Sequence, residues 1–121
     1  MPIKTVLVVD DSPTDRQYLL DLLAKNGYQA SAAESAEEAL QKVRQQRPDL
    51  VLMDVVMPGQ NGFQATRALS RDEATKDIPV IICTTKGQET DRIWGLRQGA
   101  RDYVVKPVDP ADLLAKIAAL G

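Results

Sequence analysis

Short apolar runs alternate with segments of helical periodicity five times along this chain, and this alternation limits the possible fold more than any other feature. The first unit pairs the Val-rich run Thr5–Asp10 with Pro13–Asn26, whose leucines recur at helical spacing before Gly27. The later units are Gln29–Ala33 with Glu34–Gln46, Leu50–Asp54 with Gly62–Ser70, Val80–Thr84 with Gln88–Gln98, and Asp102–Val105 with Pro110–Leu120. Strands that alternate with helices in this way form a parallel sheet through right-handed crossovers. We therefore predict an α/β fold, a doubly wound five-stranded parallel sheet with helices on both faces.

The length and charge of the chain narrow the classes of protein it can belong to. Its 121 residues suit one domain, and no linker or repeat divides them, so we expect residues 1–121 to form a single domain with no output domain. The net charge of −2 lacks the basic excess of a nucleic-acid binder. No apolar run approaches the ~18 residues of a membrane span, and no signal peptide is recognisable. We expect a cytoplasmic protein with neither nucleic-acid binding nor membrane insertion.

Two residue counts limit the available chemistry. The chain contains no histidine, which removes the usual general base, the commonest zinc ligand and any phosphohistidine carrier. Its single cysteine, Cys83, lies in the apolar run "PVIIC" and is interpreted as a buried bystander. The chemistry must therefore depend on carboxylates, hydroxyls and lysine.

Polar residues follow the predicted strands at the edge of the sheet where the carboxyl ends meet. They are Asp10 and Asp11 after the first strand, Asp54 after the third, Thr84 and Thr85 after the fourth, and Lys106 after the fifth. In doubly wound sheets, ligands bind at this edge, where the strand order reverses. Crowded carboxylates repel one another unless they share a cation, and carboxylate oxygens suit Mg²⁺. We predict that Asp10, Asp11 and Asp54 form a magnesium site.

Asp54 is the candidate nucleophile at this edge. A carboxylate attacks a phosphoryl group only when other groups neutralise the incoming oxygens, and a cation, a hydroxyl and an ammonium can do so together. Asp10 and Asp11 come from the neighbouring strand and can hold the metal, whereas Thr84 and Lys106 approach from the other side. The sequence thus predicts an aspartyl phosphate on Asp54.

The same residues resemble the receiver domain of two-component response regulators, over essentially the whole chain. The resemblance is carried by the acidic pair after the first strand, "LMDVVMPGQNG" around Asp54, "TT" after the fourth strand and "YVVKP" at the fifth. It implies a flavodoxin-like fold with strand order 2-1-3-4-5, and Asp54 as the phosphoacceptor. It further implies that Asp11 and the Val56 carbonyl ligate the metal beside Asp10 and that Lys106 pairs with the phosphoryl group. Thr84 and Tyr103 would be the switch pair, and Lys106–Pro107 a cis peptide.

A narrower resemblance concerns the pathway. The segments "MPGQNGFQATRAL" and "TTKGQETDRIWGLRQGARDYVVKPVD" are similar to the PilH-like group of single-domain regulators of type IV pilus twitching motility. This implies a signalling protein and not an enzyme, phosphorylated by a histidine kinase or histidine phosphotransfer domain and read by an effector protein of the pilus or motility machinery, for twitching or chemotaxis. A phosphate sink for a kinase and a phosphorylation-independent interaction module stay as alternatives.

Two other classes of protein are disfavoured by residues near the predicted site. A flavin-binding module would need a phosphate cradle after the first strand, where "DDSPTD" would repel a phosphate. A phosphatase of the haloacid-dehalogenase type would need an acid two residues after Asp54, where this chain has Val56.

The fourth helix carries a candidate partner surface. Ile93 and Leu96 are expected to define its inward stripe, and Trp94 points off that stripe. An exposed indole is more typical of a partner surface than of a core. Gly95, in the same helix, permits close packing or a softer helix, and we favour close packing.

Overall fold

The computed structural model describes residues 2–121, in which five β-strands alternate with five α-helices as predicted. The strands are β1 (Thr5–Val9), β2 (Gln29–Ala33), β3 (Leu50–Met53), β4 (Val80–Thr84) and β5 (Asp102–Val105). The helices are α1 (Pro13–Lys25), α2 (Ala36–Gln46), α3 (Gly62–Arg71), α4 (Glu89–Arg97) and α5 (Pro110–Leu120). All strands pair in parallel in the order β2-β1-β3-β4-β5, so the predicted doubly wound fold is confirmed.

The element ends differ from the prediction by one or two residues. Strands β1 and β3 end before Asp10 and Asp54, although the backbone N–H groups of these aspartates still donate to Ala33 and Val9. Helix α2 begins two residues later than predicted because Ser35 caps it, accepting a hydrogen bond from the Glu38 N–H at 3.1 Å. These shifts leave both aspartates just beyond the sheet, at its carboxyl edge.

The core consists of two apolar clusters, one on each face of the sheet. One cluster joins Leu7 and Val9 of β1 to residues of α2 and α3, and the other joins Val6 and Val8 to residues of α1 and α5. Alternate residues of one strand therefore pack on opposite faces, which explains why β1, β3 and β4 are apolar apart from Thr5 and Thr84. None of the helices within residues 2–121 has the length and apolar character that a membrane crossing requires.

Helix α4 departs from the predicted packing. Ile93 is 41% exposed, so the expectation that it belongs to an inward stripe is wrong, whereas Leu96 does pack against the core. The buried residue of this helix is Gly95, where an added Cβ would lie 2.8 Å from Ile82 Cδ1 and 3.0 Å from Tyr103 Cε2. The helix lies close to the sheet through this glycine, and Trp94 is half-exposed, as expected from its position.

Candidate functional site

Three carboxylates gather at the carboxyl edge of the sheet, between β1 and β3. Asp10, Asp11 and Asp54 each offer an oxygen atom, and these atoms lie within 4.8 Å of one another. Asp10 and Asp54 are buried, at 1% and 7% exposure, while Asp11 is open to solvent. An all-oxygen set of this charge fits a hard divalent cation such as Mg²⁺. The described residues therefore include a group of side chains that could hold a metal ion.

The backbone around Asp54 fixes the position of its side chain. The Val55 N–H donates to Asp54 Oδ1 at 2.7 Å, which leaves Oδ2 turned toward β5. Gly62, the first residue of α3, packs against the backbone of Asp54 and Val55. Its N–H donates to the Val55 carbonyl at 3.0 Å, and an added Cβ would lie 1.9 Å from the Asp54 carbonyl oxygen. A reciprocal pair of hydrogen bonds between Asn61 and Gln64 caps the same helix end.

Lys106 reaches the acidic group from β5 and contacts three carboxylates. Its Nζ lies 2.7 Å from Asp10 Oδ2, 2.9 Å from Asp15 Oδ2 and 3.4 Å from Asp54 Oδ2. Burial alone would lower the pKa of Lys106, but the hydrogen bonds with Asp10 and Asp15 and the charge of Asp54 outweigh it and raise that pKa. The lysine is thus held firmly in its charged form. The Lys106–Pro107 peptide bond is cis, as the sequence predicted.

Asp10 lies deepest in the acidic group. Burial raises its pKa, and the hydrogen bonds that it accepts from Lys106 and from the Ser12 N–H, at 3.0 Å, work against that rise. Its carbonyl oxygen accepts a hydrogen bond from the Arg16 guanidinium at 2.9 Å. Asp10 therefore forms an ion pair with Lys106, and hydrogen bonds with Ser12 and Arg16 at the start of α1 hold it in position.

Asp15 is the member of the site that the sequence reasoning did not assign. It lies in the first turn of α1, after the cap residue Ser12 and the helix-starting Pro13. Its side chain is 47% exposed, yet it pairs with a lysine that is only 10% exposed. The signal was a third acid four residues after Asp11, in the first turn of a helix that starts beside the carboxyl end of β1.

Thr84 and Tyr103 both contact the backbone of Lys86, in the loop that follows β4. The Thr84 hydroxyl, completely buried, accepts a long hydrogen bond of 3.4 Å from the Lys86 N–H. The Tyr103 hydroxyl donates to the Lys86 carbonyl at 2.6 Å. Burial, followed by the charges of Asp91 and Asp54, raises the pKa of Tyr103 to about 12, so the phenol stays a hydrogen-bond donor. Tyr103 is already inward, at 5% exposure.

Val56 and Trp94 lie on the outer side of the site. Val56, two residues after Asp54, exposes 54% of its surface, and Trp94 exposes 50%. Together with Phe63 and Lys86 they line an open pocket of about 380 Å³. The predicted residues from β1, β3, β4 and β5 thus share one edge of the sheet, with Trp94 of α4 beside them.

The fold and this arrangement of carboxylates, hydroxyl and lysine define a receiver domain. Residues 6–118 match the response regulator receiver domain family, so the chain belongs to the receiver domains of two-component systems. It is 56% identical to the protein PilH of Pseudomonas aeruginosa over 115 residues, which is 95% of either chain.

Two further comparisons agree with this family. The phosphate regulon transcriptional regulatory protein PhoB of Pseudomonas aeruginosa is 41% identical over 117 residues, 97% of this chain, which spans about half of PhoB (51%). The solved structure of the Vibrio cholerae chemotaxis protein CheY4 superposes with a TM-score of 0.91 and 32% identity, covering 98% of this chain and 99% of CheY4. The predicted flavodoxin-like fold is confirmed.

Proposed function

We propose that this receiver domain is a phosphoacceptor whose Asp54 takes a phosphoryl group, in a Mg²⁺-dependent reaction, from a histidine kinase or a histidine phosphotransfer domain. The observation that carries the proposal is the placement of Asp54 inside a group of three carboxylates, with Lys106 Nζ 3.4 Å from its Oδ2. Carboxylates around a nucleophile would repel a phosphoryl group by themselves, so the arrangement needs a cation and an ammonium to be useful.

The transfer step uses the charged form of Asp54. A carboxylate oxygen forms a bond to phosphorus while the phosphorus–nitrogen bond of the donor's phosphohistidine breaks, and the electron pair returns to the imidazole, which takes a proton from water. A bound Mg²⁺, held by Asp10, Asp11, Asp54 and the Val56 carbonyl, would supply positive charge beside the transferring oxygens. The Val55 N–H holds Asp54 Oδ1 and Gly62 packs on the Asp54 backbone, so the acceptor would be positioned before the donor arrives.

Lys106 and Thr84 would donate hydrogen bonds to the phosphoryl oxygens after transfer. Lys106 would donate to a phosphoryl oxygen, which its charged ammonium and its 3.4 Å distance from Asp54 favour. Thr84 supplies a hydroxyl from the end of β4. The protein thereby catalyses only its own phosphorylation and its own slow dephosphorylation, as a signalling protein and not as an enzyme.

The switch from phosphorylation to partner binding passes through Thr84 and Tyr103. A Thr84 hydroxyl drawn toward the phosphoryl group would give up its long bond to the Lys86 N–H, while Tyr103 holds the Lys86 carbonyl. The loop after β4 would then move relative to α4, which shifts the population between two packings. Since Tyr103 is already inward, the moving part is this loop and not the ring.

The family and its relatives support a proposal for the partners and the pathway. The similarity to PilH supports a role in type IV pilus twitching motility, or in a related chemotaxis pathway, in the cytoplasm. Exposed apolar side chains on α4 and β5, Ile93, Trp94 and Val105, offer the surface for an effector protein of the motility machinery. Residues 1–121 would act as one receiver domain in this process.

A labelling experiment tests the phosphoacceptor. Acetyl phosphate with Mg²⁺ should add one phosphoryl group to the chain, detected by intact mass, and Asp54→Asn should prevent the addition. The matched control is Asp77→Asn, which removes an exposed carboxylate at the opposite end of the sheet and should label like the wild type. Labelling that persists in Asp54→Asn would refute the assignment.

A further inference from the structure

Lys106 has no free donor in this structure. An ammonium group carries three N–H bonds, and three carboxylates of Asp10, Asp15 and Asp54 surround Nζ at 2.7, 2.9 and 3.4 Å. The two short contacts are with Asp10 and Asp15, and the long one is with Asp54. A phosphoryl oxygen on Asp54 can therefore receive a strong hydrogen bond from Lys106 only if another carboxylate gives one up.

Burial decides which carboxylate is released. Asp10 is 1% exposed, and among the described residues only Lys106 donates to its Oδ2, because the Ser12 N–H donates to Oδ1, so losing Lys106 would leave a buried oxygen without a hydrogen bond. The Asp15 side chain is 47% exposed, so water can replace Lys106 at little cost. Asp15 is the partner that exchanges.

We propose that Asp15 is a positioning residue that holds Lys106 before phosphorylation and competes with the phosphoryl oxygens for this lysine. The inference rests on the proposed function, because it assigns Asp15 a part in the same reaction. Asp15 acts through Lys106 and touches neither the donor nor the reacting oxygen. Only Lys106 separates the negative charge of Asp15 from the position of the phosphoryl group. Repulsion between these two negative groups therefore raises the free energy of the phosphorylated state.

Removing the charge of Asp15 should strengthen binding of a phosphoryl mimic. We expect Asp15→Asn to bind beryllofluoride, at saturating Mg²⁺, roughly threefold to tenfold more tightly than the wild type, as judged by Trp94 fluorescence or calorimetry. Asp15→Glu keeps the charge and should return the affinity to within about twofold of the wild type. Asp21→Asn is the matched control, because it removes one exposed charge from the same helix away from Lys106.

A second measurement needs neither metal nor beryllofluoride. The ammonium protons of Lys106, observed by nitrogen-15 NMR, should exchange with water faster in Asp15→Asn than in the wild type or Asp21→Asn, because one of the three acceptors is weakened. A purely structural role in α1 would lower the melting temperature without changing this exchange or the affinity for beryllofluoride.

The outcomes separate this inference from the proposed function. If wild-type protein binds beryllofluoride and Asp15→Asn binds it equally or more weakly, the role of Asp15 is refuted and the phosphoacceptor proposal stands. If wild-type protein binds no beryllofluoride and Asp54 takes no label, both proposals fail. Tighter binding in Asp15→Asn together with faster Lys106 exchange supports the role.

Discussion

At the scale of single residues, we expect the side chain two positions after Asp54 to influence how long the proposed aspartyl phosphate survives. Hydrolysis needs a water in line with the bond between the Asp54 oxygen and phosphorus, and a polar group at this position could orient that water. Val56 offers no donor or acceptor in its side chain, and it is 54% exposed at the mouth of the site.

We therefore predict that Val56→Asn speeds the loss of phosphate by roughly tenfold or less, since orienting one water is worth on the order of 1.4 kcal/mol. Decay would be followed after the donor is removed. Val56→Ala is the control for access, because it opens the site without adding a polar group. A rate in Val56→Asn no higher than in Val56→Ala would show that polarity at this position has no role.

Residue by residue, the sequence was most informative where a strand end fixes a side chain. Asp10, Asp54 and Lys106 could be placed together because the carboxyl ends of parallel strands share one edge, and their contacts agree. The pairing of Lys106 with Asp15 could not be predicted, because it depends on how α1 is rotated about its axis. The spacing of residues in the sequence does not determine that rotation.

At the scale of elements, one carboxylate ties the start of β1 to the start of β3. Asp49 Oδ2 accepts hydrogen bonds from the N–H groups of Lys4, at 2.9 Å, and Thr5, at 3.0 Å. These bonds lower the pKa of Asp49 below its ordinary value of 3.8. The two strands are neighbours in the sheet, with Val6 opposite Leu50, so the contact fixes their register at one end.

We predict that Asp49→Asn lowers the free energy of unfolding by about 0.5–1.5 kcal/mol at pH 7, the range for hydrogen bonds to a partly exposed acceptor. Because the folded pKa is depressed, the stabilisation is full above the unfolded pKa and disappears as pH falls through the folded pKa. Urea unfolding of wild type and variant should therefore differ most above the unfolded pKa and converge as the pH falls through the depressed folded pKa.

The exposed Asp77→Asn serves as the control, and it should match the wild type at every pH within about 0.5 kcal/mol. A difference between Asp49→Asn and the wild type that stays constant as the pH falls would contradict a role for the charge of Asp49.

Helix α4 shows where element-level reasoning failed. The nine residues Glu89–Arg97 include two adjacent apolar side chains, Ile93 and Trp94. More than one rotation of the helix about its axis would therefore turn one of them toward the core. In the structure neither Ile93 nor Trp94 faces the core. Gly95 faces the sheet instead, which brings the helix against Ile82 and Tyr103. A glycine carries no hydropathy signal, so a packing face built on it cannot be detected from apolar periodicity, whereas the leucines whose spacing predicted α1 include Leu19 and Leu23, which are buried in the core.

At the scale of the whole molecule, the crowded carboxylates should make stability depend on the cation. A ligand that binds only the folded state adds about 2.7 kcal/mol at one hundred times its Kd, so Mg²⁺ should raise the melting temperature by several degrees. The control is NaCl at the same ionic strength, which should give a smaller rise.

Asp11→Ala should remove most of this Mg²⁺ response, because Asp11 is one of the three carboxylates. Without Mg²⁺ the variant should be as stable as the wild type or more so, since one like charge is gone. A full Mg²⁺ response in Asp11→Ala, measured by thermal unfolding, would place the metal elsewhere.

The contact between Gly62 and Asp54 also shapes how sequences of this kind can drift. A Cβ at position 62 would lie 1.9 Å from a backbone oxygen, so no side-chain rotation can relieve the collision. The neighbouring Asn61 acts through its capping oxygen, a task that serine or aspartate performs about as well. As long as selection keeps Asp54 functional, Asn61 can be replaced by other small polar residues during evolution. Position 62 can hold only glycine, so we expect an invariant residue directly after a variable one.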